Sequence, residues 1–221
     1  MRIPLKFQKI IDPFFQTNHC TRLGKVVGGS PYWIFTKNLT EDSIIYSAGA
    51  GGDISFELDL AKTFNSKILL FDPTPTGVGT AGGGIHKKIF FFKLAIADHS
   101  GSINLSLPVN PLEGSYQFNR TAGVSFPCTS ILNFMKEKKH THIDLLKMDI
   151  EGAEYSVLNN ILKNKIPIYQ IVLEFHHRSK EFSIFDTLFA IKRLYSAGYR
   201  LIYKNVDDYT FVKKELIKRF C

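Results

Sequence analysis

The chain has 221 residues and a mass of 25.1 kDa, with 44% hydrophobic and 22% charged residues. That is enough for one domain with a sizeable core, and the mixture excludes an intrinsically disordered or fibrous chain. Lys and Arg exceed Asp and Glu by 28 − 20 = 8. The surplus leaves an anionic acceptor such as a phosphorylated glycan open, but no helix-turn-helix or RNA-binding signature accompanies it, so no nucleic-acid partner is expected.

No run approaches the ~18–20 uninterrupted apolar residues of a membrane-spanning helix. The start, from Met1 to Lys9, lacks the apolar stretch of a signal peptide. Cys20, Cys128 and Cys221 are odd in number and widely spaced, which suits reduced thiols better than a disulfide framework or a zinc site. These features together predict a soluble, cytoplasmic chain.

Residues 1–40 show weak periodicity and are expected to form a short N-terminal cap on a domain spanning 41–221. Ser43 to Ala48 reads as a short apolar strand, closed by the turn Gly49-Ala50-Gly51-Gly52. Ile54, Leu58 and Ala61 then recur at helical spacing over 53–64. Lys67 to Asp72 is a second strand, stopped by Pro73-Thr74-Pro75, and Ile89 to Ala97 a third. Thr76–Lys88 and Pro108–Pro127 read as loops.

Ile143 to Asp149 is a fourth strand, followed by a helix from about Glu151 to Leu162, and Tyr169 to Phe175 is a fifth. An amphipathic helix from Phe182 ends at Gly198, and Tyr199–Tyr203 and Tyr209–Val212 form a closing hairpin. Apolar strands alternating with helices bury both faces of a parallel sheet. The fold class expected is therefore α/β: an open, mostly parallel sheet with an antiparallel pair at its C-terminal edge.

In such a sheet a ligand binds where the strand order reverses, at the carboxyl ends. The glycine turn occupies that position, and Asp72 follows Gly49 by 72 − 49 = 23 residues. This is near the ~20-residue offset at which an acid meets ribose hydroxyls. The dinucleotide fingerprint would need a third glycine where Ile54 stands. Asp53 would also set a negative charge where a pyrophosphate should lie. A phosphate-free adenosine carrying an ammonium, as in S-adenosylmethionine (SAM), suits these residues better.

The segment Leu145-Leu146-Lys147-Met148-Asp149-Ile150-Glu151-Gly152-Ala153-Glu154 resembles the signature of the FkbM family of SAM-dependent methyltransferases. Tyr46 to Glu57, Phe71 to Pro75, Ala95 to Asp98 with Gly101, and Leu173 to His177 extend the resemblance over roughly 30–213. It implies a single Rossmann-like class I methyltransferase domain with a seven-stranded sheet. It also implies SAM as cofactor and methyl transfer to a hydroxyl oxygen of a glycan or other small metabolite. Gly49, Ala50 and Gly51 would line the methionine part, Asp72 with Pro73 the ribose, and Asp98 the adenine, while Asp149 would face the methyl or the acceptor. Ser47 stands where many members carry an acid, and Asp53 is the expected substitute at the methionine ammonium.

Removing a proton from a hydroxyl acceptor needs a base at the same sheet edge. His176, Asp149 and Glu151 all follow strands, and His176 is preferred because its ordinary pKa of ~6.5 suits neutral pH. Lys147, buried mid-strand, is expected to pair with one of these acids. Asp149, Glu151 and Glu174 could converge as oxygen ligands, but general-base catalysis is favoured and no metal is assigned. Tyr32, Trp33, Phe35, Tyr116 and Phe118 could wall a sugar ring. Two other functions compete: a nicotinamide-dependent oxidoreductase and a catalytically silent SAM-binding adapter.

Overall fold

The computed structural model describes residues 20–25, 31–82, 86–108, 114–119, 121–177 and 181–220. Cys221 and the first half of the expected cap lie outside them. The chain runs β1 (Cys20–Leu23), β2 (Tyr32–Phe35), β3 (Ile44–Ala48), α1 (Ser55–Phe64), β4 (Lys67–Phe71), α2 (Pro75–Gly82) and β5 (Ile89–Phe92). It continues through β6 (Ala95–Ala97), β7 (Gly101–Ser106), β8 (Gln117–Phe118), β9 (Val124–Ser130), α3 (Ile131–Lys138) and β10 (Ile143–Met148). The last third holds α4 (Glu154–Lys163), β11 (Ile168–Glu174), α5 (Ile184–Ser196), β12 (Tyr199–Asn205), β13 (Asp208–Lys213) and α6 (Lys214–Phe220).

Seven strands form the main sheet in the order β12-β13-β11-β10-β3-β4-β5. Period-two alternation explains its stability: Ile45 and Leu145 point to one face, Tyr46 and Leu146 to the other, and all four are buried. One face packs on α1 and the β1–β2 ribbon, the other on α3, α4 and α5. The antiparallel edge is the hairpin of β12 and β13. β13 runs against both neighbours, wedged between β11 and β12, so β12 points the same way as the five parallel strands β11, β10, β3, β4 and β5.

The expected third strand is two. After β5 the chain turns at Lys93, with Leu94 N donating to the Phe92 carbonyl at 2.7 Å, and β6 leaves the main sheet to pair with β9. β6-β9-β7-β8 make a second, four-stranded sheet. The stretches expected as loops thus contain α2, β8 and the start of β9. Their polar and glycine-rich composition hides elements whose apolar contacts are few: Ile103, Leu105 and Cys128 are the buried apolar centre of that sheet.

The described part of the cap, β1 and β2, lies across the main sheet. Gln170 on β11 clamps Phe35, accepting from its N–H at 2.6 Å and donating to its carbonyl at 3.0 Å. Phe35 is fully buried there, and Trp33 stacks on Tyr203. Neither reaches the cleft at the strand ends, whereas Tyr32 does. No helix among the described residues is long and apolar enough to cross a membrane.

Candidate functional site

The strand order reverses between β3 and β10, and there the carboxyl ends of β3, β4, β10 and β11 open onto a cavity of about 540 Å³. This is within the ~300–1,000 Å³ of small-ligand pockets. The second sheet supplies the facing wall through Ala95, Ile96, Ile103, Leu105 and Tyr116.

At one end sits the glycine turn. Gly49, in the left-handed region at φ +91°, packs so closely on the end of β10 that a Cβ would lie 1.8 Å from the Asp149 carbonyl oxygen. Only glycine fits. Asp72, at the end of β4, fastens the turn. Its Oδ2 accepts from the N–H groups of Ala50 at 2.9 Å and Gly51 at 3.0 Å, while its Oδ1 accepts from the Thr74 N–H at 2.8 Å and hydroxyl at 2.6 Å. A carboxylate offers about four acceptor sites, and these four bonds occupy those of Asp72. Pro73 and Thr74 continue the same wall.

Asp53 lines the cavity, but both of its oxygens are taken by Ser55, from the backbone N–H at 3.2 Å and the hydroxyl at 2.6 Å. The acid displayed beside the turn is Glu57, on the first turn of α1. It lines the cavity, is 1% exposed, and accepts from the Ser47 hydroxyl at 2.5 Å. Burial pushes its carboxyl above the ordinary range, only partly offset by Lys147 and the Ser47 bond. Sequence reasoning missed Glu57. The available signal was a serine at the usual acid position followed by an acid in the next helix.

At the other end Asp149, Glu151 and His176 come together from the ends of β10 and β11. Glu154, fully buried at the start of α4, organises them. Its carboxylate accepts from the backbone N–H groups of Ile150 and Gly152, each at 2.9 Å, and hydrogen-bonds His176 Nδ1 at 2.9 Å. These bonds hold Glu151 at φ +54°, a backbone conformation costly for a non-glycine residue, with its carboxylate turned into the cavity. His176 Nε2 faces Glu151 Oε2 at 3.4 Å and Asp149 Oδ1 at 3.8 Å. The Tyr32 hydroxyl donates to Asp149 Oδ2 at 2.9 Å.

Lys147, 4% exposed, donates to the Gly49 carbonyl at 2.6 Å and lies 3.9 Å from Asp149 Oδ2. It bridges the two ends. Burial works against a charged His176 ring, but the Glu154 hydrogen bond and the charges of Glu154, Glu151 and Asp149 outweigh it, pushing the pKa up to about 10. These neighbours favour the protonated ring at His176 over the free imidazole that a base requires. Burial and then the charge of Asp149 push Glu174 up to about 7 and Asp208 likewise. Acids outnumber cations here, a poor match to the anionic acceptor that net charge left open.

Asp98, expected at the adenine, is not in the cavity wall. Its side chain, about half exposed, pairs with His99 Nδ1 at 2.7 Å, because β6 has carried it into the second sheet. The nearby wall is apolar, from Ala95, Ile96, Ile103 and Leu105. Phe118, one of the aromatics considered for a sugar wall, stacks on Phe182, while Tyr116 lines the cavity.

An open α/β sheet with a ligand-sized cleft at its switch point defines a Rossmann-like enzyme fold. The sequence pattern described as the methyltransferase FkbM domain matches residues 17–201, and the chain belongs to that family of SAM-dependent methyltransferases. A search of the curated proteins matches nothing. Among solved structures, the chain is similar to a precorrin-6y C5,15-methyltransferase from Geobacter metallireducens GS-15, at 12% identity and TM-score 0.45, covering 79% of this chain and 80% of that one. It is similar also to the Methanococcus jannaschii fibrillarin pre-rRNA processing protein, at 10% identity and TM-score 0.47, with 88% of each chain covered. A third is M. capricolum TrmK in complex with S-adenosylhomocysteine (SAH), at 13% identity and TM-score 0.40, covering 96% of this chain and 68% of that one.

Proposed function

We propose that the protein transfers the methyl group of SAM to a hydroxyl oxygen of a neutral glycan or other small polyol. The observation that carries this reading is the meeting of Asp149, Glu151 and His176 at one end of a cavity whose other end is the glycine turn. Methyl transfer is an in-line displacement at a sulfonium-bound carbon, so alignment does most of the work; it can supply ~7–11 kcal/mol. Gly49, Ala50 and Gly51 flank the methionine part, with its ammonium on Glu57 rather than Asp53. The ribose lies at Asp72 and Pro73 in exchange for the Thr74 hydroxyl, and the adenine rests on Ile96 and Leu105.

The acceptor hydroxyl then enters beside Asp149 and Glu151. Carboxylates are acceptors only, so the hydroxyl donates its hydrogen bond to one of them and passes its proton there as the carbon–oxygen bond forms and the carbon–sulfur bond breaks. Acids at this end disfavour an anionic acceptor, which is why a neutral polyol is assigned.

The test is an assay of SAH release with methyl-labelled SAM against a panel of neutral sugars, phosphosugars and amines. The label is expected in a methyl ether of a neutral sugar. Label on nitrogen or carbon, or on phosphosugars alone, would overturn the assignment.

A further inference from the structure

We propose that Asp149, Glu151 and His176 bind a divalent cation of the magnesium–manganese–zinc group, which holds the acceptor through two neighbouring hydroxyl oxygens. One ligand atom from each residue lies within 4.8 Å of the other two. The two gaps from His176 Nε2, 3.4 and 3.8 Å, exceed a good N–H···O bond. They fall between the ~3 Å and ~4.2 Å that separate adjacent and opposite ligand atoms around an ion with bonds of ~2.1 Å. Two carboxylate oxygens and one imidazole nitrogen are a donor set that such ions accept, the ion taking the place of the proton that the surrounding acids favour on Nε2.

The second observation is how each group is held. Tyr32 takes Asp149 Oδ2, leaving Oδ1 toward the histidine. Ser115, just before β8, hydrogen-bonds Glu151. The fully buried Glu154 takes His176 Nδ1, which fixes the ring with Nε2 toward the two carboxylates. A carboxylate behind a ligating imidazole is the usual way to orient a metal ligand. All three groups are thus anchored on their outer side, with one atom each turned to a common point in the cavity wall.

Three protein ligands leave open positions on an ion of coordination number six. Two adjacent hydroxyls of a sugar fill two of the three, and the ion orients the reacting oxygen and favours its loss of a proton to the nearby carboxylate. Ion binding does not depend on the methyl-transfer reading; the role at the acceptor does.

The experiment titrates Mn²⁺ into the full chain without SAM or acceptor, by calorimetry and by paramagnetic broadening of the His176 ring signals. One ion per chain is expected, broadening His176 before the exposed His99. Glu151→Gln should weaken uptake at least tenfold, and Asp98→Asn, outside the cavity, should leave it unchanged. No saturable uptake at millimolar Mn²⁺, Mg²⁺ or Zn²⁺, or uptake that leaves His176 sharp, overturns the site; the broadening is read on the unaltered chain, so a variant that fails to fold does not obscure it. In the labelled-SAM assay a chelator should abolish ether formation, and unchanged turnover would overturn the acceptor role. If SAH does not bind at all, the functional reading fails while the ion site is still decided by the titration.

Discussion

At the glycine-turn end of the cavity the walls are backbone: peptide N–H groups tied to one carboxylate, and a Cα pressed on a carbonyl oxygen. At the opposite end the wall is ionisable side chains, fixed in turn by a buried Glu154. A surface made of backbone tolerates no added atoms. One made of charged side chains tolerates little change of charge, even where shape is kept. Variants that respect volume at one end and charge at the other therefore separate the two.

The largest effect belongs to Gly49→Ala. The new Cβ meets the Asp149 carbonyl at 1.8 Å, backbone against backbone, at a φ that alanine avoids. Neither strand end can yield without breaking the β3–β10 pairing, so the loss should exceed ~4 kcal/mol. Chemical denaturation checks it, and a variant of near-normal stability would show that the two strand ends are less closely packed than described.

Glu154→Gln comes next. The amide keeps the volume but turns one acceptor into a donor, so one of the three contacts from Ile150, Gly152 and His176 is lost or opposed. Hydrogen bonds to charged groups contribute ~1.5–3 kcal/mol, and about that much stability should disappear. The strained turn at Glu151 should relax with it. Amide exchange at Ile150 and Gly152 should accelerate while SAH affinity changes little; equal protection would mean that the turn stands without Glu154.

How far the sequence revealed these two ends follows from the same contrast. The central strands were legible because each buries both faces and is written as an unbroken apolar run, Ile143 to Met148 above all. The glycine turn was legible because its chemistry is local. The second sheet was not: β8 has two residues, and β9 contains Pro127 and an exposed start, so neither presents an apolar period. Asp98 was misplaced for that reason, since its environment depends on where β6 goes. Asp149, Glu151 and His176 lie in recognisable segments. Their convergence depends on Glu154, whose side chain reaches backward to the turn, and no linear spacing encodes that reach.

Glu57 gives the smallest and most discriminating test. It is a buried acid beside the glycine turn, with one serine hydroxyl as its near partner and Lys147 attracting it from farther off. Its raised pKa means that ionisation costs the folded protein stability, and the cost is present at pH above the folded value. Glu57→Gln removes that charge. The variant should melt at the same temperature as the parent below about pH 4, where both side chains are neutral. It should melt progressively higher as pH rises through the raised carboxyl value, and level off above it. At pH 8 the more stable variant should bind SAH about tenfold or more weakly, having lost a charge-assisted bond to the ammonium. Methylthioadenosine, which lacks the amino-acid end, should bind both proteins equally. A matching loss for methylthioadenosine would make Glu57 a support of the turn alone, whereas stability gained at the cost of one end of one ligand would mark it as a binding group.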